Sequence, residues 1–182
     1  CNSPEDYAAR AKEVTGQGYR GLKFDPFGTA WKDMDHADME KVVSIVAAVR
    51  DAIGADVEMM LEVHGRLSTA CAIEMGARLA PFRPAWFEEP VSPDSLELLA
   101  EVKSAIPFPV AAGERLYTLP DFFRLTAMRA ADVVQMDPAH CGGIQVARKV
   151  AAMAEAQDIL ISPHCSIGPV ALCAALHLDW AT

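Results

Sequence analysis

The 182-residue sequence carries 25 acidic and 16 basic residues, a formal net charge of −9, with 52% hydrophobic and 23% charged residues; this is the composition of a globular domain rather than a disordered tail. Lysines and arginines are scattered without a basic stripe to displace phosphate counterions, so nucleic acid is not an expected partner. Apolar runs end in a charge or proline after about eight residues, short of the roughly 20 that span a bilayer. Residues Cys1 to Glu5 hold neither the basic nor the apolar part of a secretory leader. Five cysteines without paired spacing fit reduced thiols in a cytoplasmic protein.

In chain order, helices are expected over residues 4–17, 37–53, 67–79, 95–105, 120–128 and 144–157, and strands over 21–24, 57–63, 85–87, 110–112, 133–136 and 159–162. Ser3 before Pro4 opens the first helix, and Ser92 or Asp94 precedes the Leu96, Leu99, Val102 stripe. Short apolar runs alternating with longer amphipathic ones are the rhythm of a parallel α/β sheet. Each strand closes on a polar residue: Lys23, Glu62, Glu88, Glu114, Asp137 and His164, separated by 39, 26, 26, 23 and 27 positions. Ionisable residues after every strand favour a TIM-like (β/α) barrel over an open sheet, which concentrates them at one switch point. Asp25-Pro26-Phe27-Gly28 also lacks the glycine pattern of a dinucleotide loop. A full barrel has eight strands over about 250 residues. Residues 1–182 are therefore expected to form an incomplete barrel of about six βα units, with a further strand expected after Trp180-Ala181-Thr182.

Three glutamates at successive strand ends, Glu62, Glu88 and Glu114, would repel one another at an apolar mouth, and a divalent cation resolves the conflict. An all-oxygen donor set favours magnesium over zinc. Glu62 and His64 are two apart, as are Lys23 and Asp25, so each pair is expected on one strand face. Asp137 and His164 close neighbouring strands, and an aspartate beside a histidine fixes its tautomer and raises its basicity. A shared rim makes His64 and His164 candidates for acid or base; His36 and His177 are read as surface residues. Cys141-Gly142-Gly143 suits a tight turn opening a helix, and Cys71, Cys141, Cys165 and Cys173 are read as packing residues.

Five stretches in order, Glu62-Val63-His64-Gly65-Arg66, Trp86-Phe87-Glu88-Glu89-Pro90, Ala112-Gly113-Glu114-Arg115, Gln135-Met136-Asp137 with His140-Cys141-Gly142-Gly143-Ile144, and Ser162-Pro163-His164 with Gly168-Pro169, resemble the enolase superfamily. Within it they are most similar to the mandelate racemase subgroup and its galactonate dehydratase-like acid-sugar dehydratases. The resemblance implies the superfamily's C-terminal barrel domain, with the N-terminal capping domain and the last barrel strands lying outside residues 1–182. It implies magnesium held by Glu88, Glu114 and Glu62, the last standing where many relatives carry aspartate. The proton next to a substrate carboxylate would be taken by His164 paired with Asp137, and a hydroxyl expelled with help from His64. Lys23 would face the substrate, with Asp25, Arg66 and His140 as further substrate-binding residues.

The function expected is a lyase reaction, magnesium-dependent loss of water from a small-molecule sugar acid, by a protein that self-associates into a homo-oligomer and binds neither nucleic acid nor membrane. The alternatives are racemisation or epimerisation of a 2-hydroxy acid, which product analysis separates, and a barrel piece without turnover. The 182-residue chain taken alone is expected to be inactive, because open strand edges and an uncovered mouth weaken every electrostatic contact.

Overall fold

Seven α-helices and six β-strands alternate along residues 3–182, the part described by this computed structural model. Cys1 and Asn2 lie outside the described residues, and with them one of the five cysteines. Cys71, Cys141, Cys165 and Cys173 are free. Among the described residues no helix is long and apolar enough to cross a membrane.

The chain divides into two compact units, the first reaching to Ser92 and including Ala105–Pro109, the second comprising Pro93–Ser104 and Val110–Thr182. In the first, α1 (Pro4–Gly16), β1 (Gly21–Phe24), α2 (His36–Ile53), β2 (Glu58–Glu62), α3 (Thr69–Leu79), a 3-10 turn (Ala80–Phe82) and β3 (Trp86–Glu88) follow in order. Helix starts follow from local chemistry. Ser3 Oγ accepts from Asp6 N–H while the Asp6 carboxylate accepts from Ser3 N–H, both at 3.2 Å, and Pro4 needs no partner at the first position. Asp35 and Ser68 cap α2 and α3 by accepting from the backbone N–H groups of Asp38 and Cys71.

Strands β1, β2 and β3 pair parallel, with Lys23 opposite Met60 and Glu62 opposite Glu88. Side chains alternate across a strand, so Met59, Leu61 and Phe87 form one buried face. They meet the stripe of α2 (Met39, Val42, Ile45, Val46, Val49) and that of α3 in the core of this unit. Lys23, Met60, Glu62, Trp86 and Glu88 share the other face.

In the second unit, α4 (Leu96–Ala105, its last residue belonging to the first unit), β4 (Val110–Ala112), α5 (Leu119–Ala127), β5 (Val133–Val134), α6 (Ile144–Glu155), β6 (Leu160–Ile161) and α7 (Pro169–Ala181) follow. Strands β4, β5 and β6 again pair parallel in chain order. The last two are shorter than their apolar runs. Backbone bonds from Gln135 N–H to Ala112 O, Ser162 N–H to Val134 O and His164 N–H to Met136 O nevertheless continue the ladder past their ends, which brings His164 level with Asp137. Gly113 has φ +138, and a Cβ there would stand 3.0 Å from the Gln135 backbone nitrogen; only glycine lets β4 lie this close to β5 before Glu114.

Two local expectations change. Ser95, rather than Ser92 or Asp94, opens α4: its hydroxyl accepts from Leu98 N–H at 3.4 Å and its carbonyl from Leu99 N–H at 3.3 Å. The helix α7 was not expected. Its sequence, PVALCAALHLDWA, is apolar on nearly every side, so it lacks the polar and apolar alternation by which the other helices are read; Gly168-Pro169 is the start signal that could have found it.

The packing of α3 yields a stability prediction. A Cβ on Gly76 would sit 2.4 Å from Ile106 Cγ2. Gly76→Ala should therefore lose net stability in urea unfolding, because overpacking costs about 1–3 kcal/mol against the roughly 1 kcal/mol that alanine brings to a helix. Adding Ile106→Ala should remove the clash, so the double variant should lose less than the two single losses together.

Candidate active site and metal centre

In the first unit the register of β2 and β3 sets two carboxylates side by side, and both are buried: Glu62 is 4% exposed and Glu88 0%. Lys23 starts two positions lower on β1, and its four-carbon stem carries Nζ up to both, 3.2 Å from Glu62 Oε2 and in close contact with Glu88 Oε1. Trp86, two residues before Glu88 on the same face, donates its indole N–H to Glu88 Oε2 at 2.9 Å. Glu62 Oε1 accepts from the backbone N–H groups of Val63 (3.0 Å) and His64 (2.8 Å).

Burial first, then the hydrogen bond and charge of Glu88, push the Glu62 carboxyl up to about 9, against the opposing pull of Lys23 and the His64 amide. For Lys23, burial acts to lower the pKa, but the charges and hydrogen bonds of Glu88 and Glu62 outweigh it and the net shift is upward. One ammonium is thus shared by two buried carboxyls, and the pair retains a proton at neutral pH. That is the condition a hard divalent cation relieves: oxygen-only donors, buried and crowded side by side. Glu62 and Glu88 fit magnesium on this ground.

The chain leaves β2 abruptly. His64 has φ +56 and, beside β3, Glu89 has φ +40, left-handed conformations that cost a non-glycine residue about 1–2 kcal/mol each. They are fastened by Val63 N–H to Glu88 O (3.1 Å) and Gly65 N–H to Glu89 O (2.7 Å). The strand alternation expected to align His64 with Glu62 therefore ends one residue too early. The His64 ring instead meets Asp25, Nδ1 to Oδ2 at 3.2 Å. Arg66 holds the same Asp25 oxygen at 2.5 Å and donates to the carbonyls of Gly28 and Val63. Asp25 and Arg66, expected at the substrate, thus orient a histidine and tie the rim loops together.

The second unit carries its own group. Asp137 is fully buried, and its Oδ1 accepts from Ala139 N–H at 2.7 Å. Its Oδ2 meets His164 Nδ1 at 2.9 Å. The His164 ring therefore lies between two carboxylates, with Asp137 at Nδ1 and Glu114 Oε2 3.3 Å from Nε2. His140 stands next to this pair, its ring stacked on that of His164 with centroids 6.4 Å apart. Sequence reasoning found the Asp137–His164 contact, and it missed the Asp25–His64 contact and the Trp86 donor, which depend on loop and indole orientations that spacing does not encode.

The chain matches the family described as enolase C-terminal domain-like over residues 6–182, and it belongs to that family. Its fold is accordingly that family's α/β, TIM-barrel-like domain. It is 36% identical over 182 residues to the D-gluconate dehydratase of Thermoproteus tenax, covering 100% of this chain and 37% of that protein. It is 37% identical over 180 residues to the D-gluconate/D-galactonate dehydratase of Picrophilus torridus, covering 99% and 46%. A crystal structure of a mandelate racemase/muconate lactonizing enzyme from Sulfitobacter sp. superposes with a TM-score of 0.92 at 38% identity, over 97% of this chain and 46% of that one. The chain spans less than half the length of these relatives.

The raised Glu62 carboxyl generates a pH prediction. Its folded value, about 9, lies above its unfolded value, so the stability it contributes is fully present below the ordinary glutamate range near 4.5 and is lost as pH rises toward 9. Without metal, unfolding free energy should fall across that window by at most about 1.4 kcal/mol per pH unit. Glu62→Gln should flatten the slope. Magnesium should reverse it, since binding must expel the proton and tighten as pH rises; denaturant titrations at several pH values, with and without magnesium, give all three.

Proposed function

We propose that this chain is the catalytic part of a magnesium-dependent acid-sugar dehydratase acting on a gluconate- or galactonate-like substrate. The observation that carries this reading is the presence of two aspartate-backed imidazoles, Asp137–His164 and Asp25–His64. Removing a proton next to a carboxylate needs one such base, and a second one suits expulsion of a hydroxyl. The names of the Thermoproteus tenax and Picrophilus torridus relatives support the substrate class.

In this reading His164 Nε2 takes the proton from the carbon beside the carboxylate, and Asp137 stabilises the imidazolium that results. His64, oriented by Asp25 and Arg66, gives a proton to the hydroxyl on the next carbon; the C–O bond breaks, water leaves, and the enol becomes a 3-deoxy-2-keto acid. Glu62 and Glu88 hold the metal. Glu114 enters as third ligand from the sequence, because it follows β4 as the other two end β2 and β3. Magnesium, when bound, supplies positive charge where the substrate carboxylate gathers negative charge. Lys23 then turns from the carboxyls toward substrate, and His140 lies beside the base to contact a substrate hydroxyl. We place the protein in the cytoplasm as a homo-oligomer, a reading supported by its free thiols and its resemblance.

The test uses the 182-residue chain and a version extended to the length of the relatives, with D-gluconate and D-galactonate, magnesium and deuterated water. The extended protein should exchange the proton next to the carboxylate and form the keto acid; the shorter chain should bind magnesium without turnover. In the extended protein His164→Asn should lower exchange by about 10²–10⁴, whereas His64→Asn should keep exchange and lose dehydration. Glu88→Gln should weaken magnesium binding severalfold or more in calorimetry. Keto-acid formation at the parent rate in either histidine variant would remove the assignment.

A further inference from the structure

His140 is the residue the proposed reaction uses least, and its surroundings are specific. The turn after Asp137 folds back on itself: the Asp137 carbonyl accepts from His140 N–H (2.9 Å) and Cys141 N–H (2.8 Å), and Pro138 O from Gly143 N–H (2.9 Å). This returns the His140 ring to the carboxylate it follows. With Oδ1 occupied by the Ala139 amide, Oδ2 is the atom turned to both imidazoles. It lies 2.9 Å from His164 Nδ1 and 3.7 Å from His140 Nδ1. The second distance is too long for a hydrogen bond.

Those distances have a different meaning for a cation. Zinc bonds to nitrogen and oxygen of about 2.0–2.2 Å, arranged tetrahedrally, put donors roughly 3.3–3.6 Å apart. The two Asp137 separations bracket that range, and one donor atom from each of Asp137, His140 and His164 lies within 4.8 Å of the others. Two imidazoles and one carboxylate are a borderline-soft set that suits zinc, cobalt or nickel and is poor for magnesium. Asp137 is buried while both histidines are only partly covered, so a fourth position is open to water.

We propose that Asp137, His140 and His164 form a second metal site, selective for zinc-like ions, whose occupation switches off the base. The binding claim rests on these three residues alone; the switching claim also rests on the dehydratase reading. The switch follows from the tautomer. In the form that acts as a base, His164 has its proton on Nδ1, facing Asp137, and its lone pair on Nε2. Coordination at Nδ1 requires that nitrogen to give up its proton and present its own lone pair to the metal, while the Nε2 lone pair takes up a proton, so the nitrogen that would accept a substrate proton becomes an N–H donor. His140 makes this possible because Asp137 and His164 alone offer only two ligands.

Cobalt titrated into the 182-residue chain reports the site without any turnover, since a tetrahedral nitrogen and oxygen environment gives intense visible absorption bands. The bands should appear at one equivalent, persist in excess magnesium and in Glu88→Gln, and be displaced by zinc. His140→Gln, and His140→Asn as a second variant of the exposed turn, should weaken cobalt binding by about tenfold or more. In the unaltered chain, zinc should shift the imidazole resonances of His140 and His164 together, a readout that needs no variant to fold. Absence of the bands, bands unchanged in both His140 variants, or bands lost in Glu88→Gln would each overturn the site. In the extended protein, zinc inhibition relieved by chelator and weaker in the His140 variants supports the switch. Bound cobalt with undiminished proton exchange would overturn the switch and leave the site standing.

Discussion

Two carboxylates held side by side in a buried place cannot both keep their charge, and the first unit is organised around that constraint. The β2–β3 register that puts Glu62 opposite Glu88 creates a repulsion between two buried carboxyls. The answers come from elsewhere: an ammonium reaching up from a lower position on β1, an indole N–H from two residues below, and two backbone amides supplied by the turn after Glu62. Even together these leave Glu62 protonated well above its ordinary range. The fold therefore stores a demand for positive charge at the carboxyl ends of its strands, which sets this candidate metal centre apart from a set of surface acids.

The backbone accepts cost for the same purpose. Left-handed conformations at His64 and Glu89 would be poor choices in an ordinary loop. Here they end two neighbouring strands sharply, aim amides at Glu62, and release His64 to reach Asp25. Arg66 then fastens the rim through three separate acceptors. The strain persists because the surrounding hydrogen bonds determine each of these angles more than once.

What the sequence made legible follows from the same physics. Strand positions, the amphipathic helices and the polar residue closing each strand could be read because each depends on a local period or on one residue at a chain turn. Ser3 could be read as a cap because Pro4 and Asp6 stand at fixed offsets. The misses are equally physical. Helix α7 has no amphipathic period to detect, Ser95 competes with two other plausible caps within three residues, and the direction of His64 depends on a backbone angle reversed beyond the strand. The Trp86 indole reaches Glu88 through a ring orientation that spacing in the sequence does not encode.

The two candidate centres differ in the softness of their donors, and this gives the chain a way to sort cations by chemistry rather than by affinity alone. Intrinsic affinity ranks zinc above magnesium at nearly any site, so a carboxylate cluster by itself would be exposed to capture by the wrong ion. A nitrogen-containing site nearby in sequence but separate in donor type offers zinc a better alternative, at the cost of the base it engages. Ring contacts with Tyr117 and His164 hold the His140 imidazole in place, but they do not by themselves set its distance from Asp137, which lies outside hydrogen-bonding range. It is accounted for if the turn keeps a third ligand at the separation a cation imposes.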